Sequence, residues 1–360
     1  MTTTLNVGFI PLMDIGLLVA ARDEGFAADE GVDLKLVREA SWTNLRDKLH
    51  VGLFDAAHML APAAIASSLG LGHLTVPMIC PIGLHLNGNA ITVSNRMHEE
   101  LAAAAEGDLA DPACSARALA KATEARRAKG LAPPVFAMVF TFSTHHYLLR
   151  QWISAGGLKP DIDVPLTVIP PPFMVRALES GQIDGFCVGA PWNSLAAARG
   201  IGRILHFGLD LVADCPDKML AIPAAQAERL GPAIAGLMRA LVNAARWTTE
   251  PGNLGRLARS LAAPDVLDMP GGAIERVLVG RLTMGAGAPD RIDPVYLRLD
   301  ENALAPTPAR FNWVFDAMVA AGHAPSEPAQ RARAAEVFRP DMFARAVGAV
   351  SGGEAPLVRL

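Results

Sequence analysis

Close cysteine pairs are missing from this chain. Cys80, Cys114, Cys187 and Cys215 stand far apart in sequence and include no CxxC. Zinc-ribbon and thioredoxin-like chemistry therefore have no support, and four buried free thiols are expected. Runs of Lys and Arg are also lacking, and the net charge is −4, so no nucleic-acid footprint is indicated. Arg126, Arg127 and Lys129 cluster, but at the end of a helical pattern, where a solvated face accounts for them. No apolar stretch reaches the roughly 18 residues that a membrane span needs without meeting Gly, Pro, His or charge. The start, Met1–Ile10, has neither a basic segment nor an apolar core followed by a small-residue cleavage site. It reads as a first strand, which places the protein in the cytoplasm as an expectation. GxSxG, Walker, HExxH and GxGxxG motifs are absent, and Asp14, Glu24 and Asp55 read as scattered acids without special pairing. No catalytic residue, cofactor or metal site is predicted.

What is present is alanine-rich alternation of strand and helix. Hydrophobic residues make up 51% of the 360 residues and aromatics 6%, a profile of a folded α/β protein and not of disorder. Leu5–Pro11, Val32–Val37, Ala56–Met59, Leu74–Ile79 and Ala90–Val93 read as strands separated by helices, which predicts a parallel sheet covered on both faces. A helical stretch over 99–130 breaks near Asp111-Pro112. A second α/β unit then follows through Val135–Phe140, Val164–Ile169 and Ile183–Val188. Beyond Met219–Ile222 helices dominate, and Val350–Leu360 is expected to be loosely ordered. The pattern fits two α/β lobes, 1–92 with 208–360 and 93–207. Hinge strands are expected near Ala90–Asn95 and Leu205–Asp210, with a ligand cleft between the lobes.

Ligands of open parallel sheets sit beyond the carboxyl ends of the strands. Five segments there carry candidate residues. Trp42 opens a helix behind Ser41, where free backbone N–H groups suit an anion and the indole N–H can only donate; packing of a helix-start Trp is the alternative. One imidazole of Thr144-His145-His146 could face the ligand as a donor, with a satisfied structural histidine as the alternative; adjacent histidines do not aim two rings at one metal. Gly189 follows a strand and allows close backbone approach to a ligand. Lys218 stands directly before an apolar strand and could supply positive charge, although a lone lysine is more commonly exposed. Asn87-Gly88-Asn89 reads as a turn whose N–H groups could face the ligand, or simply as a hinge turn. Donors without an evident nucleophile or acid–base pair point to binding without turnover.

Glu39–Lys48, Asp55–Pro62, Asn87–Ile91, His145–Trp152, Ile183–Gly189 with Pro191-Trp192-Asn193, and Cys215–Lys218 together resemble the nitrate- and bicarbonate-binding proteins of ABC transport systems. The matches run in the family's order from about Val7 to Gly322. The resemblance implies an α/β periplasmic-binding-protein-like (type II) bilobal fold with a hinge and nitrate in the interlobe cleft. It also implies Trp42, His145, Gly189 and Lys218 as ligand residues. Two departures matter. The chain begins at the first strand, which resembles the cytoplasmic NasS-type nitrate/nitrite sensors; their partner is a NasT-type RNA-binding antiterminator, released when ligand binds. Ala190 stands where the family commonly has Glu, which removes a potential metal ligand and favours a bare anion over bicarbonate with calcium. The implied function is a cytoplasmic nitrate/nitrite sensor. The alternatives are the receptor of a nitrate or bicarbonate ABC importer and, more remotely, an enzyme on this fold.

Overall fold

The computed structural model describes residues 2–72, 74–348 and 355–360. The chain divides into two compact units: Met1–Leu86 with Pro216–Val279 and Leu297–Pro356, and Asn87–Cys215 with Gly280–Tyr296 and Leu357–Leu360.

The first unit is built on a five-stranded sheet in the order Val32–Arg38, Thr3–Phe9, Ala56–Leu60, Lys218–Pro223, Met78–Ile79. The first three strands are parallel, as the alternation predicts. Lys218–Pro223 runs antiparallel to both of its neighbours. Leu5, Val7 and Phe9 are buried, and burial of such side chains contributes about 1.5–3 kcal/mol each. A Cβ on Gly8 would lie 2.5 Å from Leu45 and 2.6 Å from Phe54, so only glycine lets the helix Trp42–His50 approach this strand so closely. The helix Ala61–Leu69 carries Pro62 at its start and ends on Gly70 in the left-handed conformation, as its sequence signals require. The helix Gly231–Thr248 buries Ile234, Leu237, Met238, Leu241 and Val242 and packs against Gly16–Asp23 and Phe26–Asp29.

The second unit has a five-stranded sheet in the order Gly202–Phe207, Asn89–Ser94, Gly185–Gly189, Phe136–Met138, Leu166–Val168. Asn89–Ser94 is antiparallel to both neighbours, and the last three strands are parallel. Each sheet is therefore mixed, where a parallel sheet was expected. The antiparallel strand in each is the one formed just after the chain passes from one unit to the other. Asp111 caps the helix Pro112–Ala128, accepting from the N–H groups of Ala113 and Cys114, which explains the break read at Asp111-Pro112.

The boundaries differ from those expected at 92/93 and 207/208. The crossings fall after Leu86, Cys215, Val279, Tyr296 and Pro356. Residues 87–92 and 208–215 stay with the second unit because Asn89–Ser94 and Gly202–Phe207 are interior and edge strands of its sheet. Gly280–Tyr296 joins the same unit through Arg291, which makes two bonds of 2.7 Å to Asp210, and through Tyr296, whose ring centroid lies 4.6 Å from that of Phe207. Residues 350–354 of the terminal stretch lie outside the described residues; Leu357–Val358 pairs with Val212–Ala213. All four cysteines are buried as free thiols, and burial pushes the Cys80 thiol well above its usual range. No helix among the described residues is long and apolar enough to cross a membrane.

Candidate functional site

Trp42 and Lys218 meet in the first unit. Ser41 accepts from the Asn44 N–H and so fixes the start of the helix that carries Trp42. The indole is 1% exposed, and its Nε1–H has no hydrogen-bond partner. A buried donor in that state costs about 1–3 kcal/mol, which a bound acceptor would recover. Lys218 opens its strand opposite Leu60. Its Nζ lies 5.9 Å from the centre of the Trp42 ring, and the residue is 1% exposed.

The ammonium is already engaged. Nζ lies 3.0 Å from Asp14 Oδ2 and also bonds Asp217, the residue before it. Asp14 is thus no scattered acid. It stands in the short turn of helix at Met13–Ile15 that follows the first strand and is 3% exposed. Glu24 and Asp55 likewise have partners, in Arg256 and Arg229, but at the surface.

Two buried histidines complete the cluster. His58, from the strand Ala56–Leu60, places Nε2 2.7 Å from Asp14 Oδ1, and its ring centre lies 5.9 Å from that of Trp42. His85 Nε2 lies 3.3 Å from the Lys218 backbone nitrogen, from which it can accept, and 3.3 Å from Asp14 Oδ2, to which it can donate, while Nδ1 has no hydrogen-bond partner. Burial raises the Asp14 carboxyl, but Lys218, His85 and His58 outweigh it and hold the group well below its usual range. Burial lowers the Lys218 ammonium, yet Asp14 and Asp217 leave it raised overall. Burial pushes His85 down to about 4 against the pull of Asp14, so the ring is neutral at neutral pH. Asp14, His85 and Asp217 present ligand-capable atoms within 4.8 Å of one another. The cation bonded to both of those carboxylates is the lysine.

His145 and Gly189 lie in the second unit. Ser143 caps the helix Thr144–Ala155, accepting from the His146 N–H at 3.2 Å, and His145 sits fully buried in its first turn. His146, beside it, directs Nδ1 to the Thr141 carbonyl at 2.8 Å and so has a structural role. Gly189 ends the strand Gly185–Gly189, against which that helix packs. The chain continues through the cis bond Ala190–Pro191, and the Ala190 N–H donates to the Gly88 carbonyl. Asn193 is fully used inside the unit: it donates to Val188 O and accepts from Thr92 Oγ1, both at 2.7 Å.

The Asn87-Gly88-Asn89 segment divides in two. Asn87 and Gly88 form the turn, both at positive φ, and the Asn87 side chain bonds the Cys215 N–H and the Val295 carbonyl. Asn89 pairs with Gly189 in the sheet and is 1% exposed, and neither polar atom of its amide has a partner. Sequence reading set Asn89 inside a turn and did not single out its side chain; the available signal was a polar residue opening an apolar strand. Asp14, His58 and His85 were missed because only the folded sheet brings them to Lys218.

A family model described as the NMT1-like family matches residues 1–262. The chain is 33% identical over 285 residues to the nitrate import ATP-binding protein NrtC of Synechocystis, covering 78% of this chain and 39% of that protein. It thus spans about two fifths of the length of that relative. It is 27% identical over 362 residues to the nitrate/nitrite binding protein NrtA of Nostoc, covering 99% of this chain and 79% of the other. Among solved structures, the periplasmic nitrate-binding protein NrtA from Synechocystis superposes with a TM-score of 0.86 at 27% identity, over 96% of this chain and 88% of that one. The aliphatic sulphonate binding protein SsuA from Escherichia coli, at 18% identity and a TM-score of 0.61, shares the fold alone. The two α/β units are those of a periplasmic-binding-protein fold, and the chain belongs to the NMT1-like family.

Proposed function

We propose that this chain binds nitrate or nitrite without turning it over, with Trp42, His145, Gly189 and Lys218 as the ligand residues. The observation that carries the reading is the buried Trp42 Nε1–H, unpartnered beside a buried ammonium. An oxyanion supplies the acceptor that the protein itself withholds. The orphaned Asn89 amide, level with Gly189 in the sheet, adds a donor on the second unit. Calorimetric titration with nitrate, nitrite, bicarbonate and sulfate tests the proposal; no binding of either nitrogen oxyanion sinks it. Lys218→Ala leaves two buried carboxylates without their cation and is expected to weaken nitrate binding at least a hundredfold, or about 3 kcal/mol. Unchanged affinity would remove Lys218 from the site.

The bound anion acts in this reading as a cytoplasmic signal that releases a NasT-type RNA-binding antiterminator. That requires ligand and partner to prefer different states of the protein. Co-purification with such a partner, lost when nitrate is added, is the expected result. The likeness to the periplasmic NrtA of Synechocystis favours a second reading, the receptor of a nitrate importer. Retention by a permease and ATPase pair, with no response to the antiterminator, would decide for it.

A further inference from the structure

We propose that Asp14 sets the charge of the anion this chain accepts: its carboxylate, beside the Lys218 ammonium, admits a monoanion and turns away a dianion. The inference rests on the reading that Trp42 and Lys218 receive an oxyanion, and adds a specificity-determining residue to that site. Asp14 Oδ2 lies 3.0 Å from Lys218 Nζ, so the cation that draws an anion in is shared with a carboxylate. Asp14 is 3% exposed, and Trp42, His58, His85 and Lys218 are at most 1% exposed, so little water screens the group. Burial works against its ionisation, but Lys218, His85 and His58 outweigh burial and keep the carboxyl charged.

The carboxylate is also held in place. Its Oδ1 lies 2.7 Å from His58 Nε2, and its Oδ2 lies 3.3 Å from His85 Nε2 as well as beside the ammonium. Contacts on both oxygens keep it from swinging aside as an anion arrives. An anion oxygen bonded to Nζ at about 2.9 Å lies no more than about 6 Å from Asp14 Oδ2, given the 3.0 Å between Nζ and that oxygen. Coulomb repulsion grows with the product of the charges, so at one distance Asp14 repels sulfate twice as strongly as nitrate. At an effective dielectric constant of about 20, the extra unit of charge at that range changes an equilibrium by more than about tenfold. Asp217 and every other group around the ammonium stay the same when Asp14 becomes an amide, so a change in preference reports Asp14 alone. A pocket that merely loosens shifts its affinity for all anions together and leaves their ratio where it was.

Calorimetric titration of the wild-type protein and of Asp14→Asn with nitrate, sulfate and perchlorate reads the filter. The amide keeps the shape of the side chain and removes its charge. The ratio of sulfate to nitrate affinity is expected to rise at least about tenfold in the variant. Asp14→Glu, which keeps the charge, should retain the wild-type preference for nitrate. Perchlorate, a tetrahedral monoanion close to sulfate in size, is the control for shape: an equal gain for perchlorate and sulfate means a roomier pocket and overturns the charge filter. An unchanged ratio in the folded amide variant, or sulfate binding that stays undetectable, overturns it too and leaves the nitrate reading intact. Absence of nitrate binding to the wild-type protein fails that reading instead. Should Asp14→Asn fail to fold, NMR of the wild-type protein labelled with 13C at the aspartate carboxyl carbon decides. The Asp14 signal should move on saturation with nitrate, because the ammonium is then shared with the anion; an unmoved signal puts the anion elsewhere and overturns the proposal.

Discussion

The buried ionic cluster ties fold stability to pH at the scale of single residues. His85 and His206 are both pushed down from 6.5 to about 4 by burial. Each binds fewer protons folded than unfolded between those values, so its contribution is fully present above 6.5 and is lost as pH falls toward 4. Asp14, also depressed, contributes above its ordinary value near 3.8 and loses that contribution only at still lower pH. Denaturant midpoints should therefore fall steadily from pH 6.5 to 4, and His85→Gln should make that slope shallower. A midpoint that is flat over this range would contradict the burial of neutral imidazoles. Asp14→Asn leaves the ammonium one carboxylate short and should destabilise the protein by about 3 kcal/mol, read as a lower midpoint at unchanged denaturant slope. Trp42 and Lys218 could be picked out in the sequence as candidates because each adjoins an element end that local patterning locates. Their companions could not. Nothing near position 14, 58 or 85 signals a shared destination, since the pairing of Ala56–Leu60 with Lys218–Pro223 spans more than 150 residues.

Among the elements, the helix Thr144–Ala155 controls the second unit's candidate donor. Ser143 satisfies the His146 N–H and bonds the Phe140 carbonyl at 2.6 Å, which holds the first turn where His145 sits. Ser143→Ala should cost about 1 kcal/mol of stability and also weaken nitrate binding, because the imidazole would lose its fixed position. Thermal melting and titration of the same variant check both effects; a stability loss with no change in affinity would separate His145 from the ligand. Helices were easier to read than strands here. Asp111, Pro62 and Gly70 mark boundaries through local chemistry, and each marks one in the structure. The direction of Lys218–Pro223 and Asn89–Ser94 depends on how the chain leaves a unit, which local pattern does not encode.

Across the whole molecule, five chain crossings make neither unit a continuous segment. Residues 87–215 alone would lack Gly280–Tyr296 and with it the Arg291–Asp210 bonds and the Tyr296 ring on Phe207. That fragment is expected to melt without a cooperative transition by circular dichroism, whereas the full chain melts cooperatively and gains stability with nitrate. Ligand at a hundred times its Kd should add about 2.7 kcal/mol. Gly280–Tyr296 was expected in the first lobe, within 208–360, because its links to the second unit reach far back along the chain, from Arg291 to Asp210. The buried thiols have a practical consequence at this scale. With every native cysteine shielded from solvent, a single cysteine placed at an exposed position such as Val51 or Leu53 would be the one site open to a maleimide dye, turning the protein into a fluorescent reporter without first stripping its own sulfur.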